Sequence, residues 1–136
     1  LDKETLYAGR ITGSDNFQKA VRICRKNIEN ALLFDNIKVK TEDFFDTVIE
    51  PGTFVMFNPP YGERIDLEVN DFYEQVGTAL KHKYQGCSIW LISSDIENMK
   101  FIGLRPSRKI KVMNGKLECS FRKFEVYEGS KKAKKQ

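Results

Sequence analysis

The 136-residue chain holds one histidine, one tryptophan and three cysteines, and none of its nine glycines stands two positions from another. Cys24, Cys87 and Cys119 are odd in number, far apart and without C-x-x-C spacing, which excludes a disulfide framework and a structural zinc site and fits a reduced cytoplasm. All three lie on apolar stripes and read as core thiols. His82 falls on a Lys-rich helix end, where it suits the helix dipole as a surface residue rather than a catalyst. No apolar run approaches the ~18 residues that a membrane helix needs. Leu1 to Thr5 lack the basic and apolar regions of a secretory signal. Repeats and internal linkers are missing too, and only the last seven residues are low in complexity.

What is present describes one soluble α/β-sized domain: 40% apolar, 31% charged and 12% aromatic residues in 15.8 kDa. The net charge of +4 conceals a strong polarity. Residues 1–99 hold 11 Lys/Arg against 16 Asp/Glu, whereas residues 100–136 hold 12 against 3. Such segregation points to a phosphate-bearing partner for the C-terminal third, the plainer alternative being a solvated face with a frayed tail. Residues 130–136 read as a basic disordered tail, and residues 1–129 as the folded part.

Arg10 to Asp15 reads as a strand ending in an acid. Phe17, Ala20, Val21, Cys24, Ile28, Ala31 and Leu32 follow at helical spacing, as an apolar stripe. Ile37 to Lys40 alternates as a strand, with a loop from Glu42 to Asp46. After the Pro51-Gly52 turn, Thr53 to Phe57 is apolar enough for a strand buried on both faces of a parallel sheet. Phe72, Tyr73, Val76 and Leu80 predict a helix over about 69–83, Cys87 to Ile92 a buried strand, and residues 95–101 a short helix. Asn114-Gly115 between Lys109–Met113 and Lys116–Tyr127 predicts a hairpin with a type I′ turn. The order favours a mostly parallel α/β sheet closed by an antiparallel hairpin.

Ligands of open parallel sheets sit at the carboxyl ends of strands, and three such ends carry polar residues: Asp15, Asp43 and Asn58. A carboxylate there can accept from both hydroxyls of a ribose, although Asp15 also suits a helix N-cap. Asn58-Pro59-Pro60-Tyr61 says more. Two prolines after a buried strand fix the loop and hence the direction of Asn58. An amide oxygen, an exposed Pro59 carbonyl and a tyrosine ring suit a planar substrate bearing an NH2 group; the bland alternative is a Pro-rich turn with a packed tyrosine.

This Asn-Pro-Pro-Tyr resembles motif IV of class I S-adenosylmethionine-dependent amino-methyltransferases, which act on adenine-N(6), guanine-N(2) or release-factor glutamine. The longer Asn58-Pro59-Pro60-Tyr61-Gly62-Glu63-Arg64-Ile65 is narrower. Together with Gly13-Ser14-Asp15, the helix that follows, Asp43-Phe44-Phe45-Asp46 and the hairpin Asn114 to Cys119, it resembles the bacterial 23S ribosomal RNA guanine-N(2) methyltransferase family over nearly the whole chain. The resemblance implies a Rossmann-like sheet. It also implies that Asp15 binds the cofactor ribose with Asn16 and Phe17 beside the adenosine, and that Asp43 and Phe44 meet the adenine. Asn58, Pro59 and Tyr61 would hold the base to be methylated, with Pro60 and Arg64 on the substrate side. Arg64 could equally pair with Glu63 or Asp66. No strong general base is required of such a site: alignment and exclusion of water suffice, once the base is unstacked.

The family also places a Gly-rich loop after its first strand, and this sequence has no G-x-G. The chain therefore reads as the C-terminal portion of a catalytic domain lacking its first strand, with self-association through exposed strand edges expected. Ribosomal RNA is the expected substrate. Adenine-N(6) methylation of DNA is the alternative among enzymes, and a non-catalytic nucleic-acid-binding module on the same scaffold is the alternative among binding proteins. A glutamine methyltransferase fits less well, because a basic C-terminal third suits a polyanion.

Overall fold

Two strands of apolar and β-branched residues flank the first helix, and a second, larger group of strands follows it. The computed structural model describes residues 7–59 and 69–129, which divide into two units, Leu1–Thr47 and Val48–Gln136. In the first, β1 (Ile11–Asp15) and β2 (Ile37–Thr41) pair in parallel, from Ile11 opposite Ile37 to Asp15 opposite Thr41, and α1 (Gln18–Asn30) connects them. Phe17 precedes α1 in an extended conformation with no side-chain cap, and its carbonyl accepts from the Val21 N–H at 3.2 Å.

The predicted stripe of α1 has the right period, yet only Val21 is buried. Phe17 is 61% and Leu32 78% exposed, and Cys24 is exposed rather than a core thiol. Two strands offer a helix a narrow surface, so only the middle of the stripe finds cover within this unit. At its C-terminus the Leu33 N–H bonds the Ile28 carbonyl and the Leu32 N–H the Glu29 carbonyl, both at 3.0 Å, the paired bonds of a Schellman motif. Leu32 takes the left-handed position at φ 59° that glycine usually fills.

The second unit holds a four-stranded sheet in the order β3 (Phe54–Phe57), β4 (Ser88–Ser93), β6 (Leu117–Glu125), β5 (Arg108–Asn114), with α2 (Val69–Lys83) between β3 and β4. β3 is parallel to β4, while β4–β6 and β5–β6 are antiparallel, so the parallel strands are closed by an antiparallel hairpin as expected. Ile89, Leu91, Ser93 and Phe124 share one face by the register and are buried. α2 contributes Tyr73, Val76 and Leu80 to the core, at 1% exposure or less, joined by Met99 and Ile102 of a short 3-10 helix, Asn98–Ile102. Gly77 lets α2 approach that helix: a methyl group there would run into the Ile102 carbonyl. On the opposite sheet face Trp90 stacks on Phe121 with ring centroids 4.5 Å apart.

Two expectations are corrected here. β3 is not buried on both faces: Phe54 is 60% and Met56 62% exposed, because they lie on the Trp90 side of the sheet, opposite the face on which Ile89 and Leu91 are buried. The hairpin turn also differs. Asn114 pairs with Leu117 and stays in the strand, so Gly115 and Lys116 form the loop, and only Gly115 has a positive φ, 64°. One positive φ at the first loop position matches type II′, not the type I′ turn that Asn-Gly suggests. Cys87 and Cys119 are buried as expected, and burial pushes the Cys87 thiol up, against a smaller lowering by a backbone hydrogen bond. Glu125 is held below the usual carboxylate range by hydrogen bonds from Lys123 and Ser88. No helix among the described residues is long and apolar enough to cross a membrane.

Candidate nucleoside and base-binding site

Parallel pairing puts the carboxyl ends of β1 and β2 side by side, and the first two predicted acids stand at those ends. Asp15 is the last residue of β1, opposite Thr41, and its carbonyl accepts from the Glu42 N–H at 3.0 Å. Asp43 lies one residue beyond Glu42. The structure thus brings Asp15 and Asp43 to one rim of the first unit, as the sequence implied.

Their carboxylates are held in the same way. Oδ1 of Asp15 accepts from the Phe17 N–H at 2.8 Å, and Oδ1 of Asp43 accepts from the Phe45 N–H at 2.8 Å. Each bond spans two residues, a local turn that aspartate forms readily. Asp15 therefore steers the chain into α1 without being its N-cap, which is Phe17. Asp43 opens a 3-10 turn, Phe44–Asp46, closed by the Thr47 hydroxyl donating to the Asp43 carbonyl at 2.7 Å. In both acids the second oxygen has no partner among the described residues. Such an oxygen suits an acceptor for a ribose hydroxyl or an exocyclic amine.

Aromatic surface lies beside both. Phe17 and Asn16 are exposed, and Phe44 is half-buried, edge-on to Phe45 at 5.4 Å. Two carboxylates at and just past adjacent strand ends, each with one oxygen not engaged among the described residues and rings nearby in sequence, fit a group made of a vicinal diol and a planar heterocycle. This observed donor and acceptor set supports a nucleoside-bearing cofactor.

Asn58 and Pro59 belong to the second unit, immediately after β3. Asn58 is exposed and Pro59 buried, so the ring anchors the loop while the amide stands at the carboxyl end of a parallel strand. Pro60, Tyr61 and Arg64 lie outside the described residues. The end of the neighbouring β4 carries a polar cluster that sequence reading passed over. Ser93, fully buried, shares a 2.6 Å hydrogen bond with the Tyr73 hydroxyl, and its Oγ accepts from the Asp95 N–H at 3.0 Å. The Asn98 amide donates to both Asp95 oxygens at 2.8 and 3.0 Å. Ser93-Ser94-Asp95 directly after an apolar run was the signal that could have found it. The cluster secures the turn beside the strand that bears Asn58.

Parallel strands alternating with helices, with acids at the strand ends of the first unit and an Asn-Pro after a parallel strand of the second, are the elements of a Rossmann-like class I methyltransferase fold. Comparison agrees: a methyltransferase candidate, SMU.472, solved with S-adenosylhomocysteine, superposes with a TM-score of 0.76 at 27% identity, over 88% of this chain and 32% of that one. The profile of the RMKL-like methyltransferase domain matches residues 1–123, and the chain belongs to that family. The Ribosomal RNA large subunit methyltransferase K/L of Shewanella baltica is 32% identical over 122 residues, covering 87% of this chain and 17% of that protein. A candidate RNA methyltransferase of Synechocystis is 34% identical over 131 residues, covering 93% and 33%. The chain thus spans between a sixth and a third of the length of these relatives.

Proposed function

We propose that this chain supplies the nucleoside-binding and base-holding residues of an S-adenosylmethionine-dependent methyltransferase acting on guanine-N(2) in 23S ribosomal RNA, in the cytoplasm. The observation that carries the proposal is Asp15 at the end of β1 and Asp43 two residues past the end of its parallel neighbour β2, in a chain of the RMKL-like family with Asn58-Pro59 after β3. When bound, S-adenosylmethionine supplies a methyl group already activated on a sulfonium centre. The unpartnered oxygen of Asp15 accepts from the ribose, with Asn16 and Phe17 beside the adenosine. Asp43 accepts from the adenine amino group, and Phe44 offers its ring. The Asn58 side-chain oxygen and the Pro59 carbonyl accept from the amino group of the target base, drawing its lone pair out of conjugation, while Tyr61 stacks on the base and Pro60 and Arg64 face the rest of the substrate. No side chain has to remove the proton before transfer, so the residues act by aligning the amine and excluding water. The basic C-terminal third favours a polyanionic substrate over a protein loop.

Calorimetric titration of the chain with S-adenosylmethionine tests the first half: saturable binding should be lost in Asp15→Ala, and no binding by the folded chain would overturn it. Methyl transfer to 23S ribosomal RNA by a protein of the relatives' length carrying this chain tests the second half. Asn58→Ala should lower turnover about 100-fold, the scale of losing one positioned hydrogen-bonding group, with cofactor affinity nearly unchanged. Digestion of the product should yield N(2)-methylguanosine; N(6)-methyladenosine would replace the guanine reading by the adenine one.

A further inference from the structure

The surface of α1 has a property that neither cofactor nor target base uses. Lys19, Arg22 and Lys26 recur at helical spacing along one face and are exposed, with Ile23, 54% exposed, among them. None of the three cations has an ion-pair partner among the described residues. Lys19 stands in the first turn of α1, which contains no acid, so its charge sits at the positive end of the helix dipole and is favourably placed only when an anion lies against it. The stripe begins four residues after Asp15 and runs about 10 Å along the helix.

The stripe itself edges a shallow open depression of about 610 Å³ whose lining residues, Lys19, Arg22, Ile23, Arg25, Lys26 and Glu29, all belong to α1. Next to it, and sharing Arg25 and Glu29, a groove of about 310 Å³ runs between α1 and β2 past Ile28, Phe34, Ile37 and Val39. Its cations are aimed by backbone: Arg25 donates to the Val39 carbonyl at 2.9 Å and Lys38 to the Phe34 carbonyl at 2.7 Å. Phe34 itself is 49% exposed. Unpaired cations leading into an apolar groove with an accessible ring are the parts of a single-stranded nucleic-acid path, phosphates on the charges and a base on the ring. An acidic peptide would use the charges and leave the ring idle.

We propose that α1 and the α1–β2 groove form a second RNA contact, in which Lys19, Arg22 and Lys26 bind phosphates and Phe34 stacks on an unpaired base. The proposal rests on the nucleic-acid reading above. Glu29, the one acid lining either groove, works against such a ligand, which gives the test an unusual arm.

The probe is a fluorescein-labelled single-stranded 12-mer of uridine, with a polyglutamate peptide as the competing polyanion, measured by anisotropy across salt concentrations. Lys19→Gln/Arg22→Gln/Lys26→Gln should weaken RNA binding at least tenfold at low salt and reduce the slope of log affinity against log salt by about two. Phe34→Ala should weaken binding about fivefold or more with the slope unchanged. Glu29→Gln should tighten it. Circular dichroism confirms the fold of each surface variant. Unchanged affinity and slope in the triple variant, with loss instead in Arg108→Gln/Lys109→Gln/Lys111→Gln on β5, overturns the α1 contact and leaves the nucleic-acid reading standing. Binding of polyglutamate but not RNA overturns both. Failed methyl transfer with the α1 effects intact overturns only the catalytic reading.

Discussion

Leu32 is the single non-glycine residue among the described residues with a positive φ, and it carries a cost that sequence reading could not see. A leucine in the left-handed region loses roughly 1–2 kcal/mol to the clash of its Cβ with the backbone. Its side chain is 78% exposed and offers little burial in return. Leu32→Gly should therefore raise stability by about 1 kcal/mol, read as an increased urea midpoint at unchanged slope. The site acids were legible for the opposite reason. Asp15 and Asp43 stand where hydrophobic alternation stops, so strand ends could be counted from the sequence. What pattern could not supply was the division of labour within each carboxylate, one oxygen bound to an amide two residues on and the other left without a partner among the described residues. That depends on backbone angles.

The helices show how far periodicity reaches. α2 spans Val69–Lys83 as its stripe predicts, because Tyr73, Val76 and Leu80 meet a sheet face and a second helix. α1 has an equally regular stripe and buries one residue, since period reports which side faces inward and not how much lies there to be met. The hairpin was legible by its glycine, but cross-strand pairing moved the turn by one position. Gly77 was silent in sequence, an ordinary helix glycine, although the approach of the Ile102 carbonyl excludes any side chain. Gly77→Ala gains helix propensity, which alone would stabilise. Overpacking costs about 1–3 kcal/mol or more and outweighs it, so the melting temperature should fall. A rise in melting temperature would show that α2 can shift away freely.

At the scale of the whole molecule, charge separates the sheet edges of the second unit. β5 carries Arg108, Lys109 and Lys111, a charged edge of the kind that discourages strand addition, whereas β3 has no charge between Phe54 and Phe57. β3 is accordingly where self-association is expected. Antiparallel pairing of two β3 edges would keep the two basic edges far from the symmetry axis. Sedimentation velocity should show concentration-dependent dimers that Met56→Lys abolishes, and a clean monomer at high concentration would reject the pairing. The parallel and antiparallel parts of the sheets were readable from element order, but the insertion of β6 between β4 and β5 was not, because order along the chain does not dictate order in space.

That insertion also sets a sequence of events during synthesis. β1, α1 and β2 are contiguous and need only their own residues to pair. β4 waits for its antiparallel neighbour until Glu125 has emerged, and β5, made earlier, has nothing to join until then. While the nascent chain has emerged from the ribosome only as far as residues 108–120, Trp90 and Ile92 are outside without β6 beside them, which makes this interval the natural point for chaperone engagement.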